Sequence, residues 1–331
     1  MGKLAAILAS GDIDGVASAV IAARAADGPV ELLFSESQHL VRFFGNSVQD
    51  KLPRRYNLII CGLEVVHTSW DGELVRPRLM DLLRAFMSPV LWFSSRAWRP
   101  EDRAAVESIV GAGNLLVNAD APCTAALVHS HFARPDDEYA ALMEELAAGR
   151  LPDQAEAEWG AQWRRVITSF KGDLRHLREA VEPLVDARPT EIPDALLERA
   201  TRTEQENREL AERSAEEPVQ VGEHKLACID IPRERHAFWR EISGCSLALT
   251  GAHFCLCHLI GRPVLILTRN DKERADLRTW ARYLTDLLPA ARAIGESPEV
   301  VPIYLRGLDQ DPALKREAIE ILQQGAHLLA M

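Results

Sequence analysis

The sequence predicts an α/β protein whose first half forms a doubly wound parallel sheet. Short apolar runs of strand length alternate there with segments of helical pattern. The runs have no polar alternation, which is typical of strands buried on both faces of a sheet. Strands that alternate with helices along the chain favour parallel pairing. The expected strands of this half cover residues 4–9, 30–35, 56–61, 90–93 and 114–117.

Helices connect these strands and then replace them. Between the strands we expect helices at 16–25, 38–48, 74–87 and 100–110, and a further helix within 122–132. From about residue 136 to residue 215 strand signals are almost absent, and prolines at positions 183, 189 and 193 interrupt the helical pattern. The expected helices of this part are 137–148, 154–181 and 193–214.

A second α/β unit is expected from about residue 219. A strand or hairpin at 219–231 and strands at 264–268 and 300–305 alternate with helices at 233–242, 252–260, 279–291 and 312–322. The length of 331 residues favours two domains. We therefore expect an α/β domain with a helical extension at 1–185, a helical linker at 186–217 and a smaller C-terminal α/β domain at 218–331.

The composition argues against several classes of function. The formal net charge of −11 disfavours a broad electrostatic grip on nucleic acid, although a local basic groove stays open. No apolar run reaches the roughly 18 residues of a membrane span, so we expect no membrane partner. Six cysteines without regular spacing, in a chain without a signal peptide, indicate a cytoplasmic location.

The most informative stretch is an acidic turn near the N-terminus. Ser10-Gly-Asp12-Ile-Asp14-Gly15 follows the first expected strand and precedes a helix of small residues. Ligands bind at the carboxyl ends of strands in an open α/β sheet, and two carboxylates two residues apart suit Mg²⁺ or Mn²⁺. The alternative is that Asp12 and Asp14 only cap the helix that follows them.

With these pieces in place, nearly the whole chain resembles the DHH phosphoesterase superfamily. This superfamily includes RecJ-type exonucleases, oligoribonucleases, exopolyphosphatases and cyclic-dinucleotide phosphodiesterases. Its first motif, His-x-Asp-x-Asp-Gly, matches the acidic turn with Asp12 and Asp14 in the metal-binding positions and Ser10 in place of the histidine. The resemblance implies a DHH-type α/β domain, a helical connector and a smaller DHH-associated α/β domain, with the catalytic cleft between the two.

The second family motif is degenerate in this chain. In the family it is a strand that ends in a metal-bridging aspartate. The matching strand ends here in Cys61 and Gly62, and the nearby Glu64 and Asp71 are imperfect substitutes. The resemblance therefore implies that the bridge between two metal ions is lost.

The third motif, Asp-His-His after a strand, is replaced by Ser94-Ser95-Arg96. A metal ligand and two imidazoles are thereby lost. Arg96 would place a fixed cation where the family holds a divalent metal ion. We expect this guanidinium to form an ion pair with Asp12 or Asp14 and to hold the altered site together.

The C-terminal part departs from the family in the same way. Gly295-Glu296-Ser297 stands where the family has a Gly-Gly-His loop that contacts substrate phosphate. Arg278 lies in a segment that resembles the substrate-facing arginine segment of the family. The resemblance makes Arg278 a candidate anion-binding residue, and the alternative is an ordinary surface ion pair.

These departures predict a degenerate DHH-type protein that has lost catalysis and acts as a binding or scaffold protein. The expected ligand is a protein partner, for example an active relative, or a nucleotide-like anion in the inter-domain cleft, and no cofactor is expected. The first alternative is a Mn²⁺- or Mg²⁺-dependent phosphoesterase that uses Asp12 and Asp14. Its substrates would be short oligonucleotides, cyclic dinucleotides or polyphosphate. The second alternative is a nucleic-acid-binding module.

A cluster of cysteines and histidines in the second unit also raises the question of zinc. Its members are Cys245, His253, Cys255, Cys257 and His258, and their spacing matches no common structural zinc pattern. On the helix expected at 252–260, Cys257 lies one turn from His253 while Cys255 faces elsewhere. Buried apolar cysteines are the favoured interpretation.

Overall fold

The computed structural model describes residues 4–49, 56–69, 73–86, 88–132, 137–151, 153–189, 191–214, 217–270, 272–294 and 297–330. The chain separates into two compact units. The first unit consists of Met1–Val66 and Val75–Thr201, and the second of His67–Leu74 and Arg202–Met331. The predicted Gly295 and Glu296 positions, and Asp71, lie outside the described residues.

The first unit is built on a five-stranded parallel sheet in the order β2-β1-β3-β4-β5. This confirms the predicted doubly wound parallel sheet. The observed strands also lie where the sequence placed them, within one residue at either end. They are β1 Leu4–Ser10, β2 Val30–Ser35, β3 Tyr56–Cys61, β4 Val90–Ser94 and β5 Leu115–Val117.

Eight helices belong wholly to the described part of the first unit. They are α1 Ile13–Ala25, α2 Leu40–Gln49, α3 Arg76–Ala85, α4 Pro100–Val110, α5 Thr124–Phe132, α6 Glu138–Ala148, α7 Gln154–Ser169 and α8 Leu174–Asp186. The single helix predicted at 154–181 is wrong, because α7 ends at Ser169. Gly172 then adopts a positive φ of 82°, a conformation that interrupts a helix.

The sheet of the first unit is covered on both faces. Successive residues of a strand point to opposite sides, so Ile7 and Ala9 enter one hydrophobic core while Ala6 and Leu8 enter another. The first core is built with α1 and α5 to α8, and the second with α2, α3 and α4. Burial on both faces explains why these strands carry continuous apolar runs.

The second unit contains a six-stranded mixed sheet in the order β10-β11-β9-β8-β7-β6. Its strands are β6 Val219–Val221, β7 His224–Ile231, β8 Phe254–Leu259, β9 Val264–Arg269, β10 Ala291–Ala293 and β11 Val300–Leu305. Strands β7 and β8 pair in parallel, and the other described pairs are antiparallel. Helices α10 Trp239–Thr250, α11 Leu277–Leu287 and α12 Ala313–Gln324 accompany the sheet. Helix α9, Asp194–Ser214, crosses the division between the units.

The helix predicted at 252–260 is wrong, because this segment is the central strand β8. Its run of Phe, Cys, Leu and His has few β-branched residues, so local preference did not reveal the strand. Tertiary burial decides: Phe254 and Leu256 face the core under α11 and α12, while Cys255 and Cys257 face the opposite core. Cys255 and Cys257 therefore share a face, with their sulfur atoms 3.7 Å apart.

All six cysteines are free thiols. None of the described helices combines the length and apolar character that a membrane crossing needs.

Candidate functional site

The parallel sheet of the first unit gathers the motif positions at one edge. Strands β1, β3 and β4 are parallel neighbours, so their carboxyl ends lie at the same edge. Asp12 and Asp14 follow β1, Gly62 and Glu64 follow β3, and Ser94 ends β4 immediately before Ser95 and Arg96. Helix α5 follows β5, and its N-terminus also meets this edge. We call the group Asp12, Asp14, Glu64 and Arg96 the acidic edge.

Asp12 caps the helix that follows it. Its Oδ1 accepts hydrogen bonds from the backbone N–H of Gly15 at 2.9 Å and from the hydroxyl of Ser10 at 2.7 Å. Asp12 is thus the N-cap of α1. The sequence left open that Asp12 only caps the helix after it. The structure shows this cap, which uses one of the two carboxylate oxygens of Asp12.

Asp14 is bound to a different helix. Its two carboxylate oxygens accept hydrogen bonds from the backbone N–H groups of Thr124 and Ala125, each at 2.9 Å. These groups open α5, where a helix favours negative charge. Burial raises the pKa of Asp14 above its ordinary value, while the hydrogen bonds from Thr124 and Ala125 act in the opposite direction. Asp14 therefore fastens α1 to the start of α5.

Arg96 lies between two carboxylates of the acidic edge. Its Nη1 is 3.0 Å from Oε1 of Glu64, and its Nη2 is 3.5 Å from Oδ2 of Asp12. The predicted ion pair between Arg96 and Asp12 is thereby confirmed. Burial of the guanidinium opposes its charge, but Glu64 and Asp12 outweigh this effect and raise the pKa of Arg96. The side chains of Asp12, Arg96 and Glu64 are 42%, 41% and 33% exposed, so water reaches this ion-pair group.

Gly62 occupies a position that a carboxylate cannot take without rearrangement. Its φ is +71°, in the left-handed region that favours glycine. A Cβ atom at this position would lie 2.6 Å from Oγ of Ser10. The neighbouring Cys61 is fully buried, and burial raises the pKa of its thiol far above the ordinary value. Neither residue can supply the metal-bridging oxygen of the family.

The two serines of the altered third motif stabilise the local chain. The hydroxyl of Ser94 accepts hydrogen bonds from the backbone N–H of Arg96 at 3.2 Å and from Nε1 of Trp98 at 3.3 Å. Ser95 contacts the hydroxyl of Thr124 through its backbone N–H at 3.2 Å and through its own hydroxyl at 3.0 Å. Both residues are thus engaged in joining β4 to its surroundings.

The acidic edge does not fit a two-metal centre. Mg²⁺ and Mn²⁺ take several oxygen ligands around each ion. Here the cation of Arg96 is paired with Asp12 and Glu64, and Gly62 at the end of β3 offers no side-chain oxygen. We therefore derive no catalytic step through metal ions at this edge.

Ser297 and Arg278, two predicted site positions in the second unit, contact residues close to them in sequence. Ser297 accepts a hydrogen bond from the backbone N–H of Glu299 at 3.3 Å. Arg278, at the start of α11, donates to Asp276 with distances of 2.6 to 3.0 Å. Asp276 is also the N-cap of that helix. Anion binding by Arg278 stays a prediction.

Two features of the acidic edge were not predicted. One is the attachment of Asp14 to Thr124 and Ala125, which lie 110 and 111 residues away in sequence. The other is the ion pair of Glu64 with Arg96. The position of Glu64 just after β3 was the only sequence signal for it.

Comparison with known proteins relates the chain to solved structures alone. No family model and no curated protein matches it. It is similar to the DHH domain of a member of a family of ribosomal proteins, with a TM-score of 0.66 and 14% identity over 98% of this chain and 86% of the other.

Two further solved structures, both of bacterial proteins, are also similar to this chain. RecJ from Thermus thermophilus, solved in complex with Mn²⁺, gives a TM-score of 0.65 at 13% identity over 98% of this chain and 52% of RecJ. The pGpG-specific phosphodiesterase PggH from Vibrio cholerae gives 0.50 at 14% identity, over 96% of this chain and 99% of PggH. Likeness at such identities establishes a fold without an activity. The chain therefore has the two-domain α/β fold of the DHH proteins.

Proposed function

We propose that this chain is a catalytically inactive protein of the DHH phosphoesterase fold that acts by binding, as a scaffold for a partner protein. One observation carries the proposal. The guanidinium of Arg96 lies between Asp12 and Glu64, at the edge where the fold's enzymes would hold metal ions. Arginine keeps its charge at any physiological pH, so this cation is permanent.

The local chemistry supports the loss of catalysis. Metal-dependent phosphoryl hydrolysis needs ions that activate water and neutralise developing charge. A fixed guanidinium can neutralise charge, but it cannot lower the pKa of a bound water as a metal ion does. The bridging carboxylate is absent at Gly62, and Asp14 is engaged with α5. The acidic edge thus lacks the means to generate a nucleophile.

The same charges favour a protein partner over a nucleotide-like anion. The acidic edge contains three carboxylates and one guanidinium, and the whole chain carries a formal net charge of −11. A phosphate group would meet net repulsion there. An active DHH-fold protein is one partner that fits the proposal, since a scaffold of the same fold can support an enzyme without competing for its substrate.

Hydrolysis assays test the loss of catalysis. The full chain is incubated with Mn²⁺ and short oligoribonucleotides, cyclic dinucleotides or polyphosphate, beside the variant Asp12→Asn. Asparagine keeps the oxygen that caps α1, so the variant removes charge without removing the cap. We expect no Mn²⁺-stimulated turnover that distinguishes the two proteins. Turnover in the wild type that disappears in Asp12→Asn would show a rebuilt catalytic site and overturn the proposal.

Two further measurements test the binding role. Size-exclusion chromatography of the chain isolated at native levels should show a complex larger than the single chain, and elution as a free monomer would contradict a scaffold role. Oligonucleotide binding measured against salt concentration addresses the nucleic-acid alternative. Binding that weakens steeply as salt rises would favour that alternative. We expect no such binding from an acidic chain.

A further inference from the structure

A second polar group lies at one edge of the mixed sheet in the second unit. His224 begins β7, His253 directly precedes β8, and Glu273 follows β9. Because β7 and β8 are parallel and β9 is antiparallel to β8, the two starts and the one end meet at the same edge. Among the residues that the structure describes, these three form the one set of metal-ligand type whose donor atoms all lie within 4.8 Å of one another.

The distances within this group are too long for hydrogen bonds. Nδ1 of His224 is 4.0 Å from Oε2 of Glu273, and Nε2 of His253 is 3.8 Å from Oε1 of the same carboxylate. Two ligands of a tetrahedral zinc ion, each about 2.1 Å from it, lie roughly 3.4 Å apart. The two distances between a histidine and Glu273 therefore have to shorten by about half an ångström for these donors to close around an ion.

One donor of the group is buried and unsatisfied. Nδ1 of His224 is shielded from solvent and has no hydrogen-bond partner among the described residues. A buried polar atom of this kind costs free energy unless some group binds it. The carboxylate of Glu273 is its nearest ionic neighbour. An ion between the two would satisfy His224 and place positive charge beside the carboxylate.

The loop that carries Glu273 is held in place by its own contacts. Arg269 donates to the backbone carbonyl of Glu273 and to the carboxylate of Glu299. The backbone N–H of Glu273 donates to the carbonyl of Asn270 at 2.9 Å. The guanidinium of Arg269 thus orients the loop through the backbone of Glu273, and the Glu273 side chain remains directed at the two imidazoles.

His253 adds a specific cost to metal binding. Its Nδ1 accepts a hydrogen bond from the backbone N–H of Lys225 at 3.0 Å, which assigns the ring proton to Nε2. A metal ion at Nε2 requires the proton on Nδ1, where it would oppose the N–H of Lys225. Binding must therefore break this one hydrogen bond, a loss of roughly tenfold in affinity.

We propose that His224, His253 and Glu273 form a binding site for one divalent transition-metal ion of the zinc type. Two imidazoles and one carboxylate are a donor set that zinc accepts, with a fourth position left for water or a partner ligand. Imidazole nitrogen favours Zn²⁺ and Co²⁺ over Mg²⁺, which prefers oxygen ligands. The site is independent of the acidic edge, since it uses residues of the second unit alone.

Co²⁺ titration of the metal-free full chain tests the site, with visible absorption reporting coordination geometry. We expect one Co²⁺ per chain, displacement by Zn²⁺ and no competition from Mg²⁺. The variant Glu273→Gln should lose roughly a hundredfold in affinity or more. The matched control is His176→Asn, because His176 also faces a carboxylate, that of Asp173, at an exposed position. This control should bind as the wild type does.

Hydrogen exchange gives a second measurement that does not depend on any variant. Zn²⁺ should release the backbone N–H of Lys225 from His253, so exchange at Lys225 should become faster in the wild type. Equal Co²⁺ binding by wild type and Glu273→Gln would overturn the proposal. Absence of binding by the wild type would also overturn it, as would a thiolate charge-transfer band, which would assign the metal to cysteine.

Discussion

Sequence and structure disagree about where this chain could bind a metal ion. The two groups to compare are the acidic edge of the first unit and the His224–His253–Glu273 group of the second unit. The acidic edge resembles a metal-binding motif in sequence, yet its side chains are already bound to protein groups. The second group matches no motif, yet its donor atoms face one another at distances that no hydrogen bond spans. The difference teaches that ligand identity alone does not make a metal site, because neighbouring charges and existing contacts also decide whether the donors can close around an ion.

The comparison also shows how a sheet collects distant residues. In the first unit the carboxyl ends of parallel strands meet, as in most α/β proteins. In the second unit two parallel starts meet one antiparallel end, so residues 224, 253 and 273 come together without any pattern in the chain. Sequence motifs detect the first kind of site far better than the second.

The largest effect is expected from Gly62→Asp, which places a carboxylate directly after β3 at the acidic edge. We expect a loss of about 4 kcal/mol in the free energy of unfolding, from a left-handed backbone at a non-glycine residue and from overpacking against Ser10. Urea unfolding measures it. The control is Gly113→Asp, since a Cβ at Gly113 would meet nothing within 4 Å. Equal midpoints for the two variants, or Mn²⁺ binding gained by Gly62→Asp, would break the comparison.

The next largest effect is expected from Asp14→Ala. It leaves the N–H groups of Thr124 and Ala125 without acceptors at a largely buried helix terminus, which should cost about 3 kcal/mol of unfolding free energy. Asp81→Ala removes an exposed i,i+3 partner of Arg84 and should change stability by less than about 0.5 kcal/mol. If both variants unfold at the same urea concentration, Asp14 does not fasten α1 to α5.

Removal of the Arg96 guanidinium should make the acidic edge of the first unit better able to bind a metal ion. In Arg96→Ala, Asp12 and Glu64 lose their counter-ion, so Mn²⁺ affinity should rise by roughly tenfold. Because these ion pairs are partly exposed, stability should change by only about 1 kcal/mol. Isothermal titration with Mn²⁺ measures the affinity, with Arg84→Ala as the surface control. Unchanged affinity would show that Arg96 is not what excludes the metal.

The smallest expected effect is on the pH dependence of stability. One carboxylate of each unit contributes to it, and the two contributions have opposite signs. In the second unit, hydrogen bonds from His258 and Lys315 lower the pKa of Asp230 from 3.8 to about 2. A lowered pKa contributes stability that is present above pH 3.8 and is lost as the pH falls toward 2. The side chain of Asp230 is 45% exposed, so solvent screening reduces the contribution to about 1 kcal/mol or less.

Asp14 should show the reverse sign, since burial raises its pKa and the native state holds the proton more tightly. Its contribution to stability is greatest below the ordinary pKa of 3.8 and declines as the pH rises through the raised value. Acid unfolding of Asp230→Asn and Asp14→Asn beside the wild type measures both signs. A common sign for the two variants would contradict the opposed environments.

Much of the fold could be predicted from local pattern. The strands at 30–35, 56–61 and 300–305 have the predicted bounds, because short apolar runs between polar turns have few other solutions. The pattern failed at β8, where a helix was expected at 252–260, and after Ser169, where α7 ends. Packing between two cores makes 254–259 a strand, and Gly172 in the left-handed region interrupts the helix after α7. The periodicity of the sequence reveals neither cause.

The site was predictable to a smaller extent. Arg96 and Asp12 could be paired because the resemblance to the family motifs places both at the carboxyl ends of strands in one parallel sheet, β4 and β1, with β3 between them. The role of Asp14 could not be predicted, since its partners are backbone N–H groups of a helix far along the chain. His253 was considered in the wrong element, so its approach to His224 and Glu273 was missed.

Under the function proposed above, the contact between Ser10 and Gly62 determines how readily mutation could restore the residues that the DHH motifs carry. A return would require an imidazole at position 10 and a carboxylate at position 62. A side chain at position 62 already collides with Oγ of the smaller serine, so histidine at position 10 would deepen the collision. Each substitution alone lowers stability before any activity is gained. A stepwise restoration of the two residues would therefore pass through single variants that are less stable than the present chain.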